Sequence, residues 1–447
     1  MSRTTAPHFP ELYQPLKELN AQLNALKCLT QDFTIETMPQ WVSFAATTAC
    51  NLRCPHCQTH GTEDAHRQYN RKSRRWDSER LRALAAECLP TAYEFNLTLN
   101  GEPLVLADFT ERVQDLSRYG AKLDVNTNGT LFTKEILVGL LPNVGTLSIS
   151  IDGATKYVCE VLRRGVRFEK LLHNIRLVTR TCELLEGLIQ PRIRLAFTLM
   201  ASNIREMPEM VRLARCLRVP SVVMHPVEIF FPHLRDEAIA HHRATYNAYQ
   251  EKTSLAARRL AVDVYMPSPF PGVTADADIS SEGNDRIIQS LPFGYYDTLP
   301  EPETYLDRRA IESEASEIAG CIRMNLASAE SSEAASLQLE VRARGLMEIA
   351  LERHTSRLND AAGSIPYCDY LADRLFVDTN GEVAPCCIPG RPVLGDTKRA
   401  TLREIWNGDA YNRFRGEFFS AEPPDCCNGC RFRVELPVTE LLTRIAP

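Results

Sequence analysis

Three closely spaced cysteines constrain this chain more than any other feature. Cys50, Cys54 and Cys57 have the spacing C-x3-C-x2-C. Thiolates are soft ligands that suit iron–sulfur clusters, whereas tetrahedral zinc usually needs a fourth ligand nearby, for which His56 and His60 are the candidates. An odd trio this close together is a poor disulfide pattern. The spacing therefore favours three corners of a four-iron cluster over zinc, with one iron open to a substrate or cofactor.

The segment from Trp41 to Pro226 alternates short apolar runs with helical patterns. Strands are predicted at 42–46, 94–100, 122–126, 146–151, 192–199 and 221–225, and helices at 78–88, 109–119, 133–140, 168–182 and 206–216. Strands that alternate with helices form parallel β/α units, so we expect an α/β fold built as a partial (β/α)6 barrel of the TIM type. In such a barrel the chemistry lies on loops at the carboxyl ends of the strands, and the cysteine loop follows the first strand.

Polar motifs follow the next three predicted strands at equivalent places. They are Asn100-Gly101-Glu102-Pro103, Asn126-Thr127-Asn128-Gly129 and Ser148-Ile149-Ser150-Ile151-Asp152-Gly153, with Arg163 a little further on. Glycine in such a loop lets the backbone approach a ligand closely. Each motif alone has a plain alternative, such as a strand-to-helix turn or, for Arg163, a solvated helix charge. Together and in this order they indicate a ligand site on one rim of the barrel.

The cysteine trio, with the aromatic His56 directly before Cys57, resembles the signature of the radical S-adenosylmethionine (SAM) superfamily. The resemblance implies a [4Fe–4S] cluster whose open iron is chelated by SAM. Reductive cleavage of SAM then gives methionine and a 5′-deoxyadenosyl radical that abstracts a substrate hydrogen. Residues 100–103 are similar to the family's GGE motif, with asparagine in place of the first glycine. The SAM contacts implied by the resemblance are His56, Asn100, Gly101, Glu102, Pro103, Thr127, Asn128, Ser150, Asp152 and Arg163.

Three of these residues have specific roles in the resemblance. Glu102 would hold the SAM amino group, and Asp152 would face the ribose and methionyl part together with a serine. Arg163 would pair with the SAM carboxylate, because a guanidinium fork matches a carboxylate.

A second set of cysteines lies near the carboxyl end of the chain. It consists of Cys368, the doublet Cys386-Cys387, and the doublet Cys426-Cys427 followed by Cys430. Residues 375–383 form two apolar-rich runs around Thr-Asn-Gly, which predicts a β-hairpin that brings the cysteines at its ends together. Four cysteines suit a structural zinc site as well as a cluster.

This segment, with Gly395-Asp396 and residues 404–408, resembles the SPASM/Twitch auxiliary-cluster domains. The full SPASM pattern has further cysteines and two clusters, whereas this chain has no cysteine after Cys430. The resemblance therefore implies the shorter form, a small domain of a β-hairpin and helices with a second [4Fe–4S] cluster. The implied ligands are Cys368, Cys386, Cys427 and Cys430, with Cys387 and Cys426 as open alternatives.

The other segments carry weaker signals. Leucines at 12, 16, 19, 23 and 26 predict a helix over 11–27 docked on the main domain. We expect a helix or helix pair over 236–262, a proline- and glycine-rich insertion or lid over 266–305, and helices to about residue 357. The predicted organisation is an N-terminal helical extension (1–40), the radical SAM core (41–226), the insertion (227–365), the auxiliary domain (366–435) and a tail (436–447).

Three groups of reactive side chains receive a structural interpretation. Buried, small apolar character is expected for six scattered cysteines, Cys28, Cys88, Cys159, Cys182, Cys216 and Cys321. No metal site is predicted at the histidines at positions 225, 233, 241 and 242, which lack cysteine or carboxylate partners at ligand spacing. The basic run from Arg67 to Arg75 is predicted as a solvated loop, with contact to an anionic substrate or an acidic redox partner as the alternative.

Charge and hydropathy exclude several functions. A net charge of −6 over 447 residues argues against a nucleic-acid partner, which usually requires a basic chain. No apolar run approaches the ~18 residues needed to cross a bilayer, and the start of the chain lacks the pattern of a signal peptide. Fifteen cysteines in such a chain favour the reducing cytoplasm.

We therefore expect a cytoplasmic radical SAM oxidoreductase. The first hypothesis is dehydrogenation of a small molecule such as a sugar or aminocyclitol, because similar enzymes with one complete auxiliary cluster include aminocyclitol dehydrogenases. The alternatives are a maturase that crosslinks or epimerises a ribosomally synthesised peptide, and a non-catalytic iron–sulfur protein. The expected partners are the substrate and a reducing electron donor such as flavodoxin or ferredoxin. No residue is predicted as a catalytic acid or base.

Overall fold

The computed structural model describes residues 13–273, 300–327, 333–359, 361–388 and 390–445. The greater part of the predicted insertion or lid, residues 274–299, lies outside the described residues. None of the described helices has the length and apolar character needed to cross a lipid bilayer.

The chain alternates strands and helices through most of its described length. The strands are β1 (Trp41–Phe44), β2 (Glu94–Asn96), β3 (Lys122–Thr127), β4 (Val144–Ser150), β5 (Arg192–Leu199), β6 (Ser221–Pro226), β7 (Asp263–Tyr265), β8 (Ser364–Tyr367), β9 (Arg374–Val377), β10 (Glu382–Ala384), β11 (Gly395–Asp396) and β12 (Val434–Pro437). The helices are α1 (Gln14–Thr30), α2 (Glu63–Arg71), α3 (Ser78–Cys88), α4 (Phe109–Ser117), α5 (Lys134–Leu140), α6 (Lys156–Leu162), α7 (Phe168–Leu184), α8 (Met207–Cys216), α9 (Arg243–Leu260), α10 (Arg308–Ala327), α11 (Glu333–Asn359), α12 (Asp369–Asp373), α13 (Leu402–Asn407), α14 (Asp409–Phe419) and α15 (Val438–Ile445).

The main sheet confirms the predicted α/β fold. Its strand order is β11-β10-β9-β1-β2-β3-β4-β5-β6-β7, and every neighbouring pair from β1 to β7 is parallel. Parallel neighbours need a crossover, and the helices that join them cover the sheet. The six predicted strands correspond to β1–β6, and β7 is an addition that the sequence did not indicate.

The predicted carboxyl-terminal hairpin is formed by β9 and β10, which pair antiparallel. Asp378 closes its turn by accepting the backbone N–H groups of Asn380 and Glu382 at 2.8 and 2.9 Å. Gly381 has φ of 93°, a conformation that favours glycine. Because β9 also pairs parallel with β1, the hairpin extends the main sheet. The second cysteine set is thereby joined to the strand that leads into the cysteine trio.

The predicted amino-terminal helix is α1, but its apolar face packs mainly against α11 and α15, in a small second core that includes Tyr367. Its polar side ties it to the barrel, since Asn20 and Asn24 both donate to the Met38 carbonyl at 2.8 Å. The predicted docking on the main domain is therefore only part of its packing.

Two helical boundaries differ from the sequence interpretation. The basic segment predicted as a loop begins with the helix α2, whose start is capped by Thr62 accepting from the Ala65 N–H at 3.2 Å. This helix has no buried residue, so apolar periodicity could not reveal it. The helix predicted from 236 begins only at Arg243, because two short 3₁₀ turns precede it.

Candidate functional site

The cysteine trio opens into a cavity of about 580 Å³ at the carboxyl ends of the barrel strands. Cys50, Cys54 and Cys57 all line it. Its walls also include residues from the loops after β2, β3, β4 and β6, and residues of the carboxyl-terminal segment. The volume is that of a site for one or two small molecules. The predicted rim motifs therefore meet around one space.

The environment of the trio fits sulfur ligands of a cationic centre. Burial raises the pKa of Cys50 to about 11 and the pKa of Cys54 to about 12, so free thiolates are unfavourable there. Two backbone N–H groups, of Leu52 and His60, point at the sulfurs of Cys50 and Cys57 at 3.4 Å. Iron supplies the positive charge that buried thiolates require, and N–H groups aimed at sulfur stabilise a cluster.

A cluster and a single zinc ion require different spacings of their ligands. Ligands of a tetrahedral zinc ion lie within about 4 Å of one another, since each zinc–sulfur bond is about 2.3 Å. In the described part of the chain, no three His, Cys, Asp or Glu side chains are grouped closely enough to hold a single metal ion. Ligands of a cubane bind different irons and lie further apart.

Glu102 joins three loops beneath the cavity. It is only 3% exposed, and its backbone N–H donates to the carbonyl of Ala49 in the cysteine loop at 2.8 Å. Its carboxylate accepts the Thr127 hydroxyl and the Asn128 N–H, both at 2.7 Å, and the Leu104 N–H at 3.2 Å. Burial raises the pKa of Glu102, and these three donors partly oppose the shift. One oxygen keeps capacity for a further donor from the cavity that the side chain lines.

Gly101 is required by the contact between the same two loops. A Cβ at this position would lie 2.4 Å from the Ala49 carbonyl oxygen and 2.6 Å from that of Thr47. Both atoms are backbone, so neither loop can give way cheaply. This close approach seats the loop after β2 directly against the cysteine loop.

Asp152 holds three partners and does not line the cavity. It is fully buried; one oxygen lies 2.6 Å from Nη1 of Arg163 and 3.3 Å from Nε2 of His56, and the other accepts the Thr198 N–H at 2.7 Å. Burial would raise its pKa, but Arg163 and His56 hold the pKa of Asp152 below its ordinary value. Its position is that of a residue that orients His56 and Arg163, which both line the cavity.

The remaining predicted SAM contacts are placed as follows. Asn100, Thr127, Asn128 and Ser150 line the cavity, whereas Pro103 is buried and does not line it. Asn128 also donates to the side-chain oxygen of Asn51 at 2.8 Å, which ties the loop after β3 to the cysteine loop. Arg163, expected to meet a carboxylate of SAM, already has one from Asp152.

The second cysteine set surrounds its own small pocket. Five of its members line that pocket, namely Cys368, Cys386, Cys426, Cys427 and Cys430. Cys387 lines the main cavity instead. The first doublet is thereby divided between two spaces, which leaves Cys386 as its member in the small pocket. The second doublet stays together, with its two sulfurs 4.0 Å apart.

A single layer of side chains separates the two spaces. Tyr370, Ile388 and Phe432 line both the main cavity and the small cysteine pocket. The rings of Tyr370 and Phe432 are 4.8 Å apart between centroids. The wall was not predicted, because Tyr370 lies in the short helix α12 while Ile388 and Phe432 come from two other segments of the chain.

Several residues of the site have no counterpart in the motifs. His225, predicted to have no metal role, lines the cavity with Glu228 and Arg431, and the last two form an ion pair at 2.8 Å. The His225 side chain is exposed, and partial desolvation together with the charges of Arg431 and Arg194 lowers its pKa. The six scattered cysteines line neither space; three are buried and Cys182, Cys216 and Cys321 are half-buried.

Two family models match the chain. The model of the radical SAM superfamily matches residues 45–183, and that of the SPASM iron–sulfur cluster-binding domain matches residues 368–431. Both confirm the resemblances drawn from the cysteine motifs. The two domains imply [4Fe–4S] clusters and SAM as cofactors, as predicted.

Individual relatives match less closely. An AdoMet-dependent heme synthase of Methanosarcina barkeri is 29% identical over 117 residues, which is 26% of this chain and 32% of the synthase. The chain thus matches about a third of that relative's length.

Two solved structures match the chain over a longer span, and the first of them shares its fold. Streptococcus suis SuiB bound to the precursor peptide SuiA has a TM-score of 0.51 at 12% identity, covering 85% of this chain and 67% of SuiB. The structure of anSMEcpe with AdoMet and the Cp18Cys peptide has a TM-score of 0.49 at 13% identity, covering 91% and 96%.

Proposed function

Because the chain belongs to the radical SAM superfamily and carries a carboxyl-terminal SPASM domain, we propose that it is an enzyme that oxidises a substrate C–H bond. Bound SAM supplies a 5′-deoxyadenosyl radical, formed with methionine by one-electron cleavage, and this radical removes a hydrogen atom from the substrate. Cys50, Cys54 and Cys57 would hold the cluster that this chemistry needs. Glu102 would accept the SAM ammonium group, and Asp152 fixes the positions of Arg163 and His56.

The observation that supports an oxidation is the shared wall of Tyr370, Ile388 and Phe432. A substrate that has lost a hydrogen atom is a carbon radical, and it becomes a closed-shell oxidised product by losing one electron and one proton. The electron needs an acceptor close by, and the second cysteine pocket lies one side chain away. A cluster held there by four thiolates would have no open iron for substrate. The chemistry that it would supply is acceptance of this electron.

His225 is a suitable acceptor for the proton. It lines the cavity, and its lowered pKa keeps the imidazole neutral near pH 7. A neutral imidazole can take the proton that leaves with the electron.

The first hypothesis for the substrate remains a small molecule such as a sugar or aminocyclitol. The cavity of about 580 Å³ has to admit SAM as well, so little volume is left for the reacting group. A peptide substrate would place one residue in this space. That second candidate is supported by the fold shared with SuiB, which has been solved with its precursor peptide. A non-catalytic iron–sulfur protein has no use for the loops gathered around Glu102.

The direct test is a substrate screen with deuterium-labelled sugars, aminocyclitols and precursor-like peptides. Transfer of deuterium into 5′-deoxyadenosine identifies the substrate class and the bond. Peptide labelling without sugar or aminocyclitol labelling would replace the first hypothesis by the second. Failure to cleave SAM at all, in reconstituted and reduced protein, would leave the scaffold interpretation.

The ligand assignment has a sharper test in the divided doublet. Reconstituted wild-type protein is expected to hold about eight irons per chain, four in each cluster. Cys386→Ala should reduce this toward about four, whereas the matched variant Cys387→Ala should keep about eight, because its side chain lies in the main cavity. One zinc with about four irons in the wild type would show a structural zinc site instead.

A further inference from the structure

The proposed function requires an electron to reach the SAM-binding cluster from outside, and the surface beside the cysteine trio is unusually basic. Residues 63–76 contain five basic and two acidic side chains in a chain whose net charge is −6. All five basic residues, Arg67, Arg71, Lys72, Arg74 and Arg75, are exposed.

Three of these five basic side chains are free to bind a partner protein. Arg67 is paired with Glu63 at 3.2 Å, and Arg74 is bonded to Asn380. Arg71, Lys72 and Arg75 have no hydrogen-bonded or ionic side-chain partner among the described residues. We define these three as the basic patch.

The patch begins at the last residue of α2, and this helix is bonded directly to the cluster loop. Asn70 accepts the Cys50 N–H and donates to the Cys50 carbonyl, both at 3.0 Å. On the inner side of the same helix, Nδ1 of His66 lies 3.2 Å from Nδ1 of His60, whose backbone N–H points at the sulfur of Cys57. The helix α2 therefore lies between a protein bound on the patch and the two proposed cluster ligands Cys50 and Cys57.

We propose that the basic patch is the docking surface of an acidic one-electron carrier protein of the flavodoxin or ferredoxin class. Opposite charge steers such a carrier to the patch and raises its association rate. One electron then passes from the carrier to the SAM-binding cluster, so the carrier is oxidised by one electron, the cluster is reduced by one, and no bond is made or broken. The inference rests on the proposed function only in needing a cluster on the trio.

The test compares two triple variants of the reconstituted holoprotein. The patch variant is Arg71→Gln, Lys72→Gln and Arg75→Gln, because glutamine keeps the side-chain length and helix propensity. The matched control is Arg215→Gln, Arg218→Gln and Arg308→Gln, which removes the same charge. Those three arginines are exposed around a separate cavity, and Arg218 closely precedes β6, at the end of the strands away from the cysteine loop.

Two readouts are independent of substrate turnover. Calorimetric titration with oxidised flavodoxin gives its Kd, and loss of visible absorbance gives the rate of cluster reduction by photoreduced flavodoxin or by dithionite. We expect the patch variant to lose at least about tenfold in affinity and in reduction rate at low ionic strength. The difference should shrink as salt screens the charges. Dithionite should reduce all three proteins equally, since it needs no docking surface.

Three outcomes would overturn the proposal. In the first, the patch variant binds and accepts electrons from flavodoxin as the wild type does. In the second, both triple variants lose the same affinity for flavodoxin and the same reduction rate, which would show an effect of net charge alone. In the third, the loss is independent of salt. The single variants Arg71→Gln and Lys72→Gln, each expected to lose a smaller part, keep the test decisive if the triple variant is unstable. Absence of any oxidised substrate would refute the proposed function while leaving these readouts intact.

Discussion

Glu102 offers the sharpest test of the SAM site, because it both faces the cavity and joins its loops. Replacing it by alanine removes the acceptor of three buried donors, on Thr127, Asn128 and Leu104. An unpaired buried donor costs about 1–3 kcal/mol, so the Glu102→Ala protein should lose at least about 3 kcal/mol of stability. Glu102→Gln keeps one acceptor oxygen and should lose about 1–3 kcal/mol, since one donor then faces an amide NH₂.

The affinity for SAM tests the charge of Glu102 separately from its contribution to stability. A hydrogen bond from an ammonium group to a carboxylate is worth about 1.5–3 kcal/mol, and one to a neutral amide about half of that. Glu102→Gln should therefore weaken SAM binding by about 0.8–1.5 kcal/mol, which is roughly fourfold to thirteenfold. Equilibrium dialysis of SAM against reconstituted protein measures this, and thermal unfolding followed by circular dichroism measures the stability of the same samples.

A matched control is available in Glu206, a second buried carboxylate that binds a loop but lies outside the cavity lining. It accepts the Ala154 N–H at 2.5 Å, the Thr155 N–H at 3.1 Å and the Thr155 hydroxyl at 2.7 Å. Glu206→Gln should leave SAM affinity unchanged. Wild-type affinity in folded Glu102→Gln protein would remove Glu102 from the SAM site. An equal loss in both variants would show that the effect comes from general destabilisation.

Three further predictions follow from the geometry. Cys54→Ala should abolish reductive cleavage of SAM to 5′-deoxyadenosine with little change in circular dichroism; residual cleavage would place the cluster elsewhere. Gly101→Ala should lower both the melting temperature and SAM affinity, because its Cβ would meet two backbone oxygens within 2.6 Å; an unchanged melting temperature would contradict this packing. Burial raises the pKa of Glu206 to about 7, so the folded state retains a proton that the unfolded state has lost above its own pKa near 4.3. Stability should then fall by about 3 kcal/mol as pH rises from about 4 to 7 and change no further above it, and chemical denaturation of Glu206→Gln should lack this component.

The barrel could be predicted because its signals are local. Apolar runs of strand length alternate with helical periodicity from β1 to β6, and the helix boundaries predicted for α3, α5 and α8 agree with the structure within one residue. The helix α2 was missed for the opposite reason. None of its side chains is buried, and its stability comes from the cap at Thr62 and the ion pair of Glu63 with Arg67. A threonine followed by two acidic residues was the available signal for its start.

The loops of the site could be predicted, but the contacts between loops that are distant in the chain could not. The sequence placed the cysteine trio and the Glu102 loop on one rim, but the salt bridge of Asp152 with Arg163 depends on how two loops face each other. The different directions of Cys386 and Cys387 were not predicted, because the backbone bends directly after β10 and does not keep the alternation of a strand. The wall of Tyr370 and Phe432 had no usable signal, because it joins the short helix α12 to a turn that follows Cys430 much later in the chain.

The role of the second cysteine pocket can be separated from that of the trio by removing ligands that have no substitute. Cys426 can replace Cys427, since both line the pocket, so the informative pair is Cys368→Ala with Cys386→Ala. If the electron left on the substrate crosses the wall to this pocket, the variant should still form 5′-deoxyadenosine with dithionite. The oxidised product should fall to a small fraction, because the substrate radical has lost its electron acceptor.

Loss of a four-ligand site can also unfold a small domain, so the fold has to be measured with the products. The hairpin of β9 and β10 is anchored on β1, which should hold the segment in place without the cluster. Protease resistance of residues 361–445 and the near-ultraviolet circular dichroism test this directly. Full conversion to oxidised product in a well-folded variant would refute the electron-acceptor role. A product at the same oxidation level as the substrate, in both proteins, would instead assign the reaction to epimerisation or rearrangement, for which no electron has to leave the cavity.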